Sequence, residues 1–255
     1  MDDKLFNKII TALILILFTC LGSVLFLGRG GRTFSFAGER KLPIYSVEKQ
    51  GNEVALTFDI NWAETDYIYE ILDILKEKKV KATFFIMGGW VETSEENVEK
   101  LKRIYAEGHE VGNHSYMHPD MTKVSRDKII KEIEMTDAVI RKYLGIETNL
   151  FRFPSGAYND LSMKVIEEVG KYSIQWDSDS VDWKEQGAEI EYLRIMNKVK
   201  PGSIMLFHND ARYTPGNLIR IIDDLNNKGY QFVIISQLIY KENYYIDNDG
   251  RQFIK

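Results

Sequence analysis

Seven short apolar runs, each bounded by turn residues, recur along the chain and restrict its fold more than any other feature. They lie at Val54–Phe58, Ala82–Ile86, Glu110–Asn113, Asn149–Arg152, Tyr172–Trp176, Ser203–Phe207 and Gln231–Ile235. Stretches with helical spacing separate them. Tyr67, Ile68, Ile71, Leu72 and Leu75 trace one apolar face, and Ile133, Ile140 and Leu144 part of another. Thr93 with Glu96 predicts a capping box for the second helix, and Gly108, Gly145, Gly170 and Gly229 predict four helix ends. Strand and helix patterns in alternation call for parallel strands covered by helices. An open doubly wound sheet and a closed barrel both fit. No G-x-G-x-x-G follows the first strand, which argues against a dinucleotide-binding sheet.

Ahead of this pattern, Ile9–Gly28 (IITALILILFTCLGSVLFLG) carries no charge over 20 residues, the length a helix needs to cross a bilayer. No clear small-x-small cleavage site follows, so residues 1–28 are expected to form an uncleaved membrane anchor. Lys4 and Lys8 precede it and Arg29, Arg32, Arg40 and Lys41 follow, but large domains translocate largely regardless of such charges. Residues 29–48 are expected to be a linker and barrel entry, 49–240 the main domain, and 241–255 a tail that could add an edge strand. The net charge of -5, with no basic stripe among aromatics, argues against a nucleic-acid partner. The single cysteine, Cys20, excludes an internal disulfide framework and a Cys-rich zinc site.

Polar residues gather where the strands end. Asp59 follows the first strand, His114 and His118 the third, and Arg152 ends the fourth. Asp177, Asp179 and Asp182 follow the fifth, and His208 ends the sixth. In a barrel these positions share the C-terminal face, where the reaction site belongs. The remaining histidine, His109, precedes its strand and is expected at the opposite end, in a structural or surface role.

Each motif has its own chemistry. N-H-S-Y-M-H-P sets His114 and His118 four residues apart, a spacing that suits one transition-metal ion. Asp59 in T-F-D-I-N-W leaves an apolar strand for a partly desolvated mouth, as a general base would; a helix N-cap is the plainer alternative. Arg152 in F-R-F-P-S-G can hold a carboxylate, and Pro154 with Gly156 shapes a tight turn able to aim a backbone N–H inward. W-D-S-D-S-V-D-W lacks the glycine and closing glutamate of a calcium loop, and one of its carboxylates could instead orient His208. His208 in L-F-H is then a candidate general acid.

Taken together, T-F-D-I, H-S-Y-M-H-P, R-F-P-S-G, D-S-V-D-W and L-F-H, in this order, resemble the motifs of the polysaccharide deacetylases, the NodB-homology carbohydrate esterases of family 4. The resemblance spans roughly residues 54–238 and is nearest the sporulation-associated branch. It implies a deformed (β/α)7 barrel of parallel strands that removes acetyl groups from N-acetylated wall polysaccharide, peptidoglycan above all. Asp59 would be the base, Arg152 its positioner, His208 the acid and Asp182 the residue that tunes it. His114 and His118 would hold a divalent metal, zinc first. The family's third ligand, the second aspartate of T-F-D-D, is replaced here by Ile60. That change leaves solvent, Asn61 or Asp59 to complete the shell, or leaves a silent wall-binding protein. All four tryptophans lie at or just beyond strand ends. Trp62, Tyr116, Pro154, Tyr158 and Trp183 are expected to contact the sugar through aromatic faces and the turn. Such a substrate places the domain on the outer side of the cell membrane.

Overall fold

The computed structural model describes residues 41–255. The expected anchor, residues 1–28, lies outside them, and among the described residues no helix is long and apolar enough to cross a membrane.

Seven strands form one curled parallel sheet: β2 (Glu53–Ile60), β3 (Thr83–Ile86), β4 (Glu110–Asn113), β5 (Leu150–Phe151), β6 (Tyr172–Ser173), β7 (Ser178–Asp179) and β8 (Ile204–His208), in the order β6-β5-β4-β3-β2-β8-β7. Each pairing is parallel. Helices Ile68–Glu77, Glu95–Ala106, Arg126–Leu144, Asp160–Glu168, Ala188–Met196 and Thr214–Asn227 follow the strands in turn. The βα alternation of the sequence is therefore the architecture.

Alternation along β2 separates two environments. Val54, Leu56, Phe58 and Ile60 join the apolar layer between sheet and helices, with Ile68, Ile71, Leu72 and Leu75 from the first of those helices. Ala55 belongs to a separate core inside the curl with Phe85 and Ile204, and Thr57 and Asp59 follow it on that face of the strand. Burying the six apolar side chains Ile68, Ile71, Leu72, Phe58, Leu56 and Val54 contributes about 1.5–3 kcal/mol each, which holds the helix on the sheet.

Two strands differ from the sequence expectation. The run Tyr172–Trp176 is not one strand: β6 ends at Ser173, and the chain crosses to the other sheet edge before β7 begins at Ser178. Ile44 pairs with Ile174 at this crossing, its N–H donating to Ser173 and its carbonyl accepting from Gln175. The run Gln231–Ile235 is reduced to β9 (Gln231–Phe232), which pairs with the foot of β2. There are still seven strands in the path, but β7 replaces β9.

The capping box expected at Thr93 is corrected by one residue. Ser94, not Thr93, caps helix Glu95–Ala106, its Oγ accepting from Asn97 N–H at 3.1 Å. Thr93 instead accepts from Trp62 Nε1. Gly145 closes the helix Arg126–Leu144 at φ 71°, a left-handed conformation that glycine adopts at least cost. Residues 244–254 form a hairpin, β10 (Tyr244–Ile246) and β11 (Arg251–Ile254), and β11 pairs with β1 (Ser46–Val47). Gly202 lets Val47 approach, since a side chain there would meet the Val47 carbonyl.

Candidate active site

Asp59 is the penultimate residue of β2 and His208 the last of β8, paired residue to residue across the two parallel strands. Both face the inside of the curl, so the strand register alone brings a carboxylate and an imidazole to one mouth. Arg152 reaches the same place from the residue after β5. It is fully buried and lies over the Phe85 ring, 4.0 Å from its centroid. Its Nη1 donates to Asp59 Oδ1 at 2.8 Å and to Thr57 Oγ1 at 2.8 Å, while Nε and Nη2 donate to the carbonyls of Ile174 and Gln175. Burial pushes the Asp59 carboxyl up, but the Arg152 charge and hydrogen bond, with the His208 charge, outweigh it and hold the group below the usual carboxylate range.

His208 is governed by Asp182. Its Nδ1 lies 2.7 Å from Asp182 Oδ1, and its backbone N–H donates to Oδ2 at 2.9 Å. Asp182 is buried and also accepts from Thr214 Oγ1 at 2.7 Å and from Trp183 N–H at 3.0 Å. A carboxylate with this many donors stays ionised. Burial alone would lower the His208 pKa, but the bond to Asp182, its charge and those of Asp59 and Asp210 raise it to about 9. The imidazole is therefore protonated at neutral pH.

The other two acids of W-D-S-D-S-V-D-W part company. Asp179 accepts from Trp176 Nε1 and Val181 N–H, which fixes the turn into Asp182. Asp177 accepts from Ile204 N–H and Ser203 Oγ at the start of β8, the end of the sheet away from His208. His109 is likewise remote and is a core residue rather than a surface one: its Nδ1 accepts from Ala82 N–H, and burial lowers its pKa to about 4.

His114 and His118 meet edge to face, ring centroids 5.0 Å apart, on a loop with Ser115 and His118 both at positive φ. The buried Glu132 side chain imposes that conformation, accepting from the N–H groups of Tyr116 and Met117 at 2.9 and 2.6 Å. Arg152 O can only accept, so His114 Nδ1 carries the proton of the 2.9 Å bond between them. The unprotonated His114 Nε2 then faces Asp59 Oδ2 at 3.6 Å. Burial keeps both imidazoles neutral, lowering His114 to about 4 and His118 below the ordinary value.

The expected third ligand position does not contribute. Ile60 is fully buried on the helix side of β2, paired with Ile86. Asn61 is clasped through its backbone, its N–H and carbonyl both bonded to the Asn209 side chain. Among the described residues no group of three or more His, Cys, Asp or Glu side chains could hold a metal ion. The residues present therefore do not by themselves fit a divalent metal.

The rim is aromatic in part. Trp183 and Trp62 are 58% and 41% exposed, and Met117 joins them at 52%. Trp62, Met117 and Gly89 lie against one another. Tyr116 is partly buried, packed on the core beside Gly88 with its hydroxyl bonded to Glu92, and Trp90 is buried outright. Pro154 is buried in the turn Pro154–Gly156, whose Gly156 and Ala157 N–H groups bond to Phe153 and Pro154 carbonyls. Tyr158 packs on Phe153 and accepts from Tyr45 Oη. Residue spacing missed Glu132, Thr57, Thr214 and Met117, since each acts through a partner distant in sequence.

At one end of the curled parallel sheet, a carboxylate held by arginine thus stands on the strand beside an imidazole charged by aspartate. The comparisons define it further. The polysaccharide deacetylase family model matches residues 46–174. The peptidoglycan-N-acetylmuramic acid deacetylase PdaA of Bacillus subtilis is 33% identical over 216 residues, covering 83% of this chain and 81% of that protein. The peptidoglycan-N-acetylglucosamine deacetylase PgdA of Listeria monocytogenes is 35% identical over 213 residues, 84% of this chain but 43% of that longer protein. Among solved structures, a family 4 carbohydrate esterase pseudoenzyme from Bacillus anthracis superposes with a TM-score of 0.73 at 33% identity, over 84% of this chain and 73% of its own. A mutant of that pseudoenzyme with restored enzymatic activity superposes at 0.72, with 36% identity over 77% and 71%. The chain belongs to the polysaccharide deacetylase family, hydrolases of N-acetyl amide bonds.

Proposed function

We propose that this chain removes acetyl groups from an N-acetylated wall polysaccharide of the peptidoglycan type, in a deformed (β/α)7 barrel carried on a membrane anchor at residues 1–28 and facing outward. The proposed barrel spans residues 49–240, after a linker at 29–48 and before the tail at 241–255. The observation that carries this reading is the facing pair Asp59 and His208, whose pKa values are driven apart, one below the carboxylate range and one to about 9. Two adjacent titratable groups separated in this way are a base and an acid. Asp59, ionised and aimed by Arg152, takes a proton from the attacking water. His208, protonated through Asp182, gives one to the departing amine, so that water and amide become acetate and amine. The Ser155 N–H, in the turn beside Arg152, is the candidate donor to the oxyanion. Trp62 and Trp183, with Met117, offer apolar faces to sugar rings.

The second reading, a wall-polysaccharide-binding protein without turnover, is favoured by one observation. Ile60 faces the helix layer, and the histidine pair lacks its third ligand.

Acetate release from peptidoglycan by the full chain separates the two, measured as purified, with chelator, and with zinc or cobalt added. Release abolished by Asp59→Asn supports the deacetylase. Release that needs added metal identifies a weakly held zinc at the two imidazoles. No release in any arm, with the chain still sedimenting with peptidoglycan, establishes the binding protein.

A further inference from the structure

Behind the His208–Asp182 pair, helices Ala188–Met196 and Thr214–Asn227 enclose Glu191 and Asn217, each 2% exposed. Asn217 Nδ2 donates to Glu191 Oε2 at 3.4 Å. The other oxygen of each side chain, Glu191 Oε1 and Asn217 Oδ1, is buried with no hydrogen-bond partner. Two orphaned acceptors on neighbouring side chains share one remedy. A carboxylate cannot donate, but a carboxylic acid can. A single proton on Glu191 Oε1, donated to Asn217 Oδ1, would close a ring of two hydrogen bonds and satisfy both oxygens at once.

Asn217 stands three residues after Thr214, on the first turn of the same helix, and Thr214 Oγ1 holds Asp182 Oδ2. We propose that Glu191 is a positioning residue for His208: as a neutral acid it closes the ring with Asn217 and fixes the helix turn from which Thr214 orients Asp182. The role of His208 as acid rests on the deacetylase reading; the protonated ring does not.

The surroundings agree with a neutral Glu191. Burial raises its pKa first, the charges of Asp182 and Glu185 add to it, and together they bring it to about 7, while the bond from Asn217 pulls the other way. Among the described residues Glu191 makes no ion pair, although the Arg194 Nε on its own helix is buried without a hydrogen-bond partner. On helix Thr214–Asn227, Arg220 is paired with Glu189, Asp223 with Lys78 and Asp224 with Tyr192. On its own helix, Arg194 donates to Gln186. A group raised in this way favours folding on the acid side and loses that contribution as pH rises through neutrality. The ring is thus a device that loosens in mildly alkaline solution.

Infrared difference spectra of the full chain test the proton directly. In mildly acidic solution the wild type should show a carboxylic-acid carbonyl band that Glu191→Gln lacks, and the band should fade as pH is raised. Its absence would overturn the proposal. The His208 imidazole resonance gives the second readout. Glu191→Gln, whose amide can close the same ring, should leave its titration in place, whereas Glu191→Ala should move it toward the ordinary histidine value. An unchanged titration in Glu191→Ala would refute the positioning role. Should that variant not fold, Asn217→Ser, too short to close the ring, takes its place with the same expected shift. Neither readout uses acetate release, so an inactive chain can still show the ring, and an active one can lack it.

Discussion

Removing the Arg152 charge while keeping its bulk, as in Arg152→Met, should reverse the sign of the Asp59 pKa shift. At 2.8 Å and an effective dielectric near 20, the attraction between the two groups is about 6 kcal/mol. Taking both charges out of water costs several kcal/mol each, so the intact pair is close to neutral in its net effect on stability. Methionine removes the attraction but leaves the burial of Asp59, the largest single influence and one that raises its pKa. The single variant should therefore lose about 3–5 kcal/mol of unfolding free energy, the cost of an uncompensated buried charge. Asp59→Leu added to it should recover much of that loss. The pH dependence should invert as well. In the wild type, Asp59 is depressed when folded, so its contribution is present above the unfolded value of about 4 and lost as pH falls through the folded one. In Arg152→Met the carboxyl lies above the unfolded value, so stability should rise on acidification through that window. Urea denaturation across the acid range reads both effects. A loss below about 1 kcal/mol, with the acid limb unchanged, would show that solvent reaches Asp59 and that the arginine does not govern it.

The other expectations follow from the same burial. Asp182→Asn should take His208 from about 9 to below the ordinary histidine value, since burial would then act with far less opposition. The stabilisation present below the unfolded value and lost as pH rises through about 9 should vanish with it; imidazole resonances followed against pH, beside thermal melts, check both. Ile60→Asp should cost about 3 kcal/mol or more, because it sets an unpaired carboxylate in the layer under the helices, and zinc binding measured by calorimetry should not tighten. Tighter zinc at unchanged stability would mean that the end of β2 turns over to meet the metal.

Most of the sheet and much of the site were legible because both depend on local pattern. Apolar runs bounded by turn residues, with helical stretches between them, gave strands β2, β3, β4, β5 and β8 to within one or two residues at the ends. The residues after those runs gave Asp59, His114, Arg152 and His208. What escaped depends on contacts that no local pattern carries. Tyr172–Trp176 reads as one strand because its composition is continuous, yet pairing with Ile44 draws the chain across the gap between β6 and β7 and places Asp177 at the far end. Glu132 reads as one charge among many on a 19-residue helix, and only the fold points it at the histidine loop. Trp90 follows a strand as Trp62 does, but it lies within the short helix Gly88–Val91 and is buried there.

Isoleucine at residue 60 bears on the strand as well as on the proposed metal site. Along a strand the side chains change face at every residue, so Asp59 and residue 60 can both serve the mouth only if the strand has already ended. Here it has not: β2 continues through Ile60, which pairs with Ile86 and adds a β-branched side chain to the layer under the helices. The isoleucine offers no donor and extends the apolar layer under the helices to the last residue of β2. Asp59 is untouched, because its direction comes from its pairing with His208 and its charge from Arg152, neither of which involves residue 60. The proposed acid–base pair and the proposed metal ligands thus stand on separate supports. A chain can lose the second set without strain on the first, and putting a carboxylate back at residue 60 is a change of backbone before it is a change of chemistry.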